Sequence, residues 1–318
     1  MTSLHDEVHR RGLLVGVTVE IVVDNLTKQY KKVRAVDGLS FGVRSGRVTG
    51  FLGPNGAGKT TTLRMLLNLV TPTAGRATIG GRRYADLDHP IRYVGAVLEA
   101  SSAHRGRTGV NHLRVICAAA GLPAERADQV LALVGLTPAA RRKFKGYSLG
   151  MKQRLGIAAA MIGDPRVLIL DEPANGLDPE GIRWMRDLLR ALAAEGRTIL
   201  VSSHLLGEMQ QLAEDVVIIA GGRLIRQGPV DEVLGSMTGL AQVRVRTPEP
   251  DRLAAALMPM QATVSPLPDG ALMVTGADPA IVGHAAFTAG VELHELVGER
   301  ADLEQVFLQL TAGKAGIR

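Results

Sequence analysis

Hydrophobic positions along the chain alternate between two periods. Val48-Thr49-Gly50-Phe51-Leu52 is a short, mostly apolar run bounded by polar and glycine positions, the pattern of a buried strand. Leu63, Leu66, Leu67 and Val70 then recur at i, i+3, i+4 and i+7, which predicts one face of a helix. The β-branched run Val19 to Val23, Arg76 to Ile79 and Arg92 to Glu99 predict further strands. From Val110 to Leu136 the period becomes helical. Leu113, Ile116, Cys117 and Ala120 share one face, and Val130, Leu131 and Val134 another, with Gly121-Leu122-Pro123 between them.

The alternation continues downstream. Ser148 is a natural N-cap for a helix whose apolar face is Met151, Leu155, Ala158, Ala159 and Ile162. Asp164-Pro165 breaks the chain before the aliphatic run Val167 to Leu170, which ends on Asp171 and Glu172. Asp178 and Pro179 open a helix carrying Ile182, Met185, Leu189 and Leu192, stopped by Gly196. Thr198 to His204 predicts a strand with a polar tip, and Val216–Ile219 with Leu224-Ile225 a hairpin across Gly221-Gly222. Strands alternating with helices indicate an α/β domain, with residues 110–136 as a helical insertion. Composition shifts near residue 240. Val243 to Arg246, Leu253 to Leu257, Leu272 to Val274, Ile281 to Phe287, Val291 to Leu296 and Leu303 to Leu310 suggest a small α+β domain, with Pro259, Pro266 and Pro268 in loops. Residues 1–18 read as a tail.

At 318 residues, 46% hydrophobic and 21% charged, the chain suits one large and one small domain. Cys117 is the single cysteine, which excludes an internal disulfide and suggests a buried thiol. No apolar run reaches the length of a bilayer span, and Leu13 to Val17 is too short for a signal sequence, so a cytosolic protein is expected. The net charge of +6 favours a polyanion nearby: ATP, an anionic leaflet or nucleic acid. Arg141-Arg142-Lys143 with Lys145 is the densest basic run and fits a solvated loop. His5 and His9 are four apart, but no third metal ligand stands near them.

The chemistry concentrates in two places. Gly53-Pro54-Asn55-Gly56-Ala57-Gly58-Lys59-Thr60 fits G-x-x-x-x-G-K-[ST] between a strand and a helix, the context in which backbone N–H groups cradle phosphates. Lys59 would reach the β/γ oxygens and Thr60 would ligate Mg²⁺. A buried parallel strand ending in Asp171-Glu172 calls for a cation or substrate to meet the acids. Asp171 suits the Mg²⁺ shell and Glu172 a general base. Other positions stay open. Tyr30 fits a purine-stacking aromatic or an edge-strand tyrosine; the Ser148 helix start fits an anion site or an ordinary cap; His204 alone fits a solvated loop.

Taken in order, these motifs resemble the ATP-binding cassette family, specifically the single-domain ATPase subunits of bacterial peptide-antibiotic or multidrug exporters with a separate permease chain. The resemblance covers residues 19–235, and the C-terminal appendage is similar to that subgroup. It implies an α/β fold: a P-loop NTPase core over 19–238, with an antiparallel β subdomain and a helical insertion at about 100–163, plus a small α+β accessory domain over 239–318. It implies that Tyr30 stacks on adenine, that Gly53, Pro54, Asn55, Gly56, Ala57, Gly58, Lys59, Thr60 and Thr61 hold the phosphates, and that Thr60, Asp171 and Glu99 surround Mg²⁺. Glu172 would be the general base and His204 would reach the γ-phosphate. Ser148 and Gly150 would meet ATP on a second subunit, and Asp178 would lie in the loop crossing that interface.

Two positions depart from the family pattern. Leu-Ser-Gly-Gly-Gln becomes Tyr147-Ser148-Leu149-Gly150-Met151, and Glu99 replaces a glutamine. The implied protein is an ATPase at the inner membrane face, paired with a second copy and a permease. The rivals are a nucleic-acid-associated or ribosomal cassette ATPase, and a small-metabolite kinase. The single motif set without long heptads argues against the former, and Ser148 and His204 would be idle in the latter.

Overall fold

The apolar run at Val48–Leu52 forms β3, buried at every position inside a six-stranded sheet. A computed structural model of the chain describes residues 19–98, 103–235 and 242–299, with Leu303 and Phe307. The sheet order is β5 (Val94–Val97), β6 (Val167–Asp171), β7 (Thr198–Ser203), β3, β8 (Asp215–Ala220) and β9 (Arg223–Pro229). All neighbours are parallel except the β8–β9 hairpin. β6, β7 and β8 are buried throughout, as a parallel sheet covered on both faces requires. Each buried Val, Leu or Ile contributes about 1.5–3 kcal/mol, so this sheet is the stable frame on which the site is mounted.

A second sheet, ordered β2-β1-β4, is antiparallel: β1 (Val19–Tyr30), β2 (Val33–Arg44) and β4 (Ala74–Ile79). Sequence periodicity found only the first five residues of β1 and none of β2. The reason is physical: the β1–β2 register shifts repeatedly between Val23 and Gln29, and Asn25 takes φ 47°. Each bulge moves the side chains to the opposite face and erases the alternation. Phe41 on β2 stacks on Phe51 of β3 with centroids 5.2 Å apart, which joins the two sheets through the core.

A buried carboxylate ties them at the rim. Asp215 is 5% exposed and accepts from Arg44 Nε at 2.8 Å, from Arg44 Nη2, and from Arg47 Nη2 at 3.2 Å. Both arginines are about one-third exposed, which trims the cost of leaving them unpaired. Asp215→Ala is therefore expected to lower the stability of the chain by about 2–3 kcal/mol. A urea midpoint equal to that of the parent would contradict it.

The predicted insertion is helical: α2 (Gly109–Ala119), α3 (Glu125–Leu133) and α4 (Leu149–Ala160). α1 (Lys59–Leu66) follows β3, and α5 (Pro179–Ala194) follows β6. Cys117 is a free, buried thiol in α2.

The described residues divide into two compact units between Pro229 and Val230. The second is a four-stranded antiparallel sheet, ordered β11-β12-β10-β13, from β10 (Gln242–Arg246), β11 (Thr263–Pro266), β12 (Leu272–Thr275) and β13 (Glu295–Glu299). With α6 (Pro250–Leu257) and α7 (Pro279–Ala289), the chain order is βαββαβ. Val243, Val245, Leu272 and Val274 pack with Leu253, Leu257, Val282 and Ala286 into its core. β11 corrects the reading of Pro266 as a loop residue: it sits at the end of an edge strand, where a missing N–H costs no ladder bond. Tail residues 1–18 lie outside the described residues, as does most of the stretch from Leu303 to Leu310.

Candidate active site

Two neighbouring strands of the six-stranded sheet, β6 and β7, end at one place, beside the loop that follows β3. That loop, Gly53 to Gly58, closes on itself through Ala57 N–H donating to Pro54 O at 3.1 Å. Gly58 has φ 102°, and a Cβ there would stand 2.5 Å from Ala35 O. Backbone conformation and β2 together exclude any side chain at that position. Gly58 is also the N-cap of α1 and offers no side-chain acceptor to the first turn. The leading N–H groups of α1 are left for an anion.

Lys59 is almost buried, and its Nζ donates to Gly53 O at 2.7 Å and stands 3.5 Å from Glu172 Oε1. Thr60 Oγ1 donates to Asp171 Oδ2 at 2.7 Å, while Ser202 Oγ donates to Asp171 Oδ1. Glu172 lies past the end of β6 with φ 50°, an uncommon conformation for a residue with a side chain. Its N–H is held by Ser202, at 3.2 Å to the carbonyl and 3.0 Å to the hydroxyl. His204 Nδ1 lies 2.7 Å from Glu172 Oε2. One ammonium, two hydroxyls, two carboxylates and an imidazole thus meet at one edge of the sheet, beside an uncapped helix. The arrangement can hold a phosphate chain, place hard oxygen donors next to it and deprotonate a water.

Comparison with known proteins agrees with this geometry. Residues 36–175 match the family model described as ABC transporter, and residues 241–304 match a domain of unknown function, DUF8746. The chain is 43% identical over 216 residues to the bacitracin transport ATP-binding protein BcrA of Bacillus licheniformis, covering 67% of this chain and 71% of that one. It is 36% identical over 307 residues to the Nod factor export ATP-binding protein I of Ralstonia nicotianae, covering 93% and 95%. The chain belongs to the ABC transporter ATP-binding family. A solved ATP-binding subunit of an ABC transporter superposes with a TM-score of 0.62 at 28% identity, over 68% of this chain and 92% of that one. The protein is an ABC ATPase, the ATP-binding and ATP-hydrolysing subunit of a transporter.

Other residues expected at the site of this ABC ATPase are not bonded to the cluster. Tyr30 ends β1, 46% exposed, with Lys28 Nζ 5.0 Å from its ring centroid. Ser148 is the N-cap of α4, its Oγ accepting from Met151 N–H at 3.2 Å. Gly150 follows in the first turn. Asp178 caps α5, its Oδ1 accepting from Gly181 N–H at 2.8 Å. Among the described residues, no hydrogen bond or ion pair joins Tyr30, Ser148, Gly150 or Asp178 to the Lys59–Glu172 group. Glu99 lies outside the described residues. The sequence reading missed Ser202, which holds both Asp171 and the Glu172 backbone. Its only sequence signal is its place, beside Ser203, in the polar tip of β7.

Proposed function

We propose that this chain energises an exporter as one of two copies that close around two nucleotides and drive a separate permease. The observation that carries the reading is the division just described. The phosphate, metal-type and base groups share one cluster, while the second helix start suited to an anion, at Ser148, is joined to it by no hydrogen bond or ion pair among the described residues. Two copies arranged head to tail would bring them together. Tyr30 then stacks on the adenine, Gly53 to Thr61 hold the phosphates, and Ser148 and Gly150 of the other copy close over the γ-phosphate. Asp178, in the loop before α5, lies at the seam.

Thr60 Oγ1 and Asp171 Oδ2 would hold Mg²⁺. Two adjacent hard oxygens suit an ion that completes its shell with phosphates and water. Bound there, Mg²⁺ would neutralise charge on the phosphate oxygens. Glu172 takes the proton of the attacking water, with His204 fixing the carboxylate and reaching the γ-phosphate, and Lys59 countering the charge of the β/γ oxygens. Hydrolysis removes the bridging group, and the copies part. Because ATP binds the closed pair better than the open one, its binding can move a partner.

The ATPase domain is proposed to span 19–238 and the accessory domain 239–318. Among the described residues no helix is long and apolar enough to cross a membrane, so docking at the inner face would depend on the permease. Between the helical insertion and the core lies a cavity of about 430 Å³, lined by Leu67, Val97 and Leu98 on the core side and by Phe144 and Leu155 of the insertion. His112 also lines it, and burial, aided by Arg107, pushes its imidazole pKa down and keeps it neutral. Tagged chain purified from its own membranes should bring down a polytopic membrane protein, and a charge placed at the exposed edge of the cavity by Leu69→Glu should release it while ATP still binds. Recovery of DNA or RNA in its place, lost with added salt, would favour the nucleic-acid alternative.

A further inference from the structure

An exposed leucine by itself is ordinary; Leu149 is set apart by what lies beneath it. It opens α4 directly after Ser148, is 55% exposed, and covers Gly176 in the loop between Glu172 and Asp178. A Cβ on Gly176 would overlap Leu149 Cδ2 and stand 2.5 Å from its Cγ, and Gly176 has φ 76°. The contact is reciprocal: a Cβ on Gly150 would meet Leu177 Cδ2 at 3.4 Å. Further along both helices, the Arg154 guanidinium lies 4.1 Å from the ring centroid of Trp184 on α5, and its Nη1 donates to Val134 O at 3.2 Å. α4 is thus fastened to the loop and to α5 at two levels, and the first is a leucine that fits only because residue 176 has no side chain.

We infer that Leu149 is a positioning residue: seated on Gly176, it sets the Ser148 end of α4 against the loop that starts at Glu172. The helix start offered to a second copy is then placed by the segment carrying this chain's own base. The inference rests on the proposal that Ser148 meets nucleotide held by that copy.

The test uses full-length chain and three changes: Leu149→Ala, Gly176→Ala, and both together. In the double variant the two Cβ atoms would stand 3.5 Å apart, an ordinary contact, so the clash is gone and only backbone strain at 176 remains. Leu149→Ala is expected to lower kcat about threefold, and Gly176→Ala about tenfold or more, both with the KM for ATP near the parent value. The double variant should recover several-fold of the kcat lost in Gly176→Ala. If Leu149→Ala has the parent kcat, or the double variant is no faster than Gly176→Ala, the inference is overturned. Should Gly176→Ala lose ATP binding and so report misfolding, Leu149→Ala alone decides by the same criterion. Sedimentation of Glu172→Gln with ATP separates the two levels. If it never pairs, the two-copy reading fails; if it pairs and adding Leu149→Ala leaves the pairing affinity unchanged, only the role of Leu149 fails.

Discussion

Glu172→Gln is expected to keep ATP bound while turnover falls by about 10²–10⁴-fold, a rise of roughly 3–5.5 kcal/mol in the barrier. The amide has almost the shape of the carboxylate and leaves the N–H bonds to Ser202 in place, so the φ 50° backbone has no reason to change. What it lacks is a lone pair basic enough to take the proton of water. It also ends the contact of opposite charges with Lys59 at 3.5 Å, which leaves the ammonium to the phosphates. Binding should therefore be as tight as in the parent or tighter. Paired, ATP-loaded protein should accumulate, because the step that separates the copies is blocked. Single-turnover hydrolysis and sedimentation measure both effects; turnover at the parent rate would remove Glu172 from the role of base.

Lys59→Ala should have the opposite signature, with affinity lost first. Lys59 is buried against Gly53 O, at the start of a helix whose N–H groups carry no side-chain cap. A charge-assisted bond is worth about 1.5–3 kcal/mol, so its removal should weaken ATP binding by about 10–150-fold. The Glu172 carboxylate, left beside the phosphates without its counter-charge, adds to the loss. Equilibrium binding of ATP is the measurement, and parent affinity in Lys59→Ala would refute the phosphate loop as the nucleotide site.

The parts of this fold that could be read from the sequence are those in which one short segment carries its own constraint. The phosphate loop is fixed by Gly58 and its flanking strand and helix. Val167 to Glu172 declared itself because four aliphatic residues do not run into two acids without a reason. The helix starts at Ser148 and Asp178 were legible because each cap bonds within three residues. The hidden parts depend on distant segments. β2 lacks a clean alternation because its pairing with β1 is bulged, and β11 was masked by Pro266, which an edge strand tolerates. Ser202 gains its importance only from a neighbouring strand, 31 positions away from Asp171. The same holds for Gly176: nothing in Asn175-Gly176-Leu177 announces that a leucine from another helix rests on it.

The stacking of Arg154 on Trp184 has a practical consequence. The chain contains one tryptophan, and it lies at the junction of α4 with α5, under a guanidinium. Indole emission is sensitive to a cation in van der Waals range, so the unmodified protein carries its own optical gauge. Light from this chain excited at the red edge comes from that junction alone, and no dye or engineered label is needed to follow it through the ATP cycle.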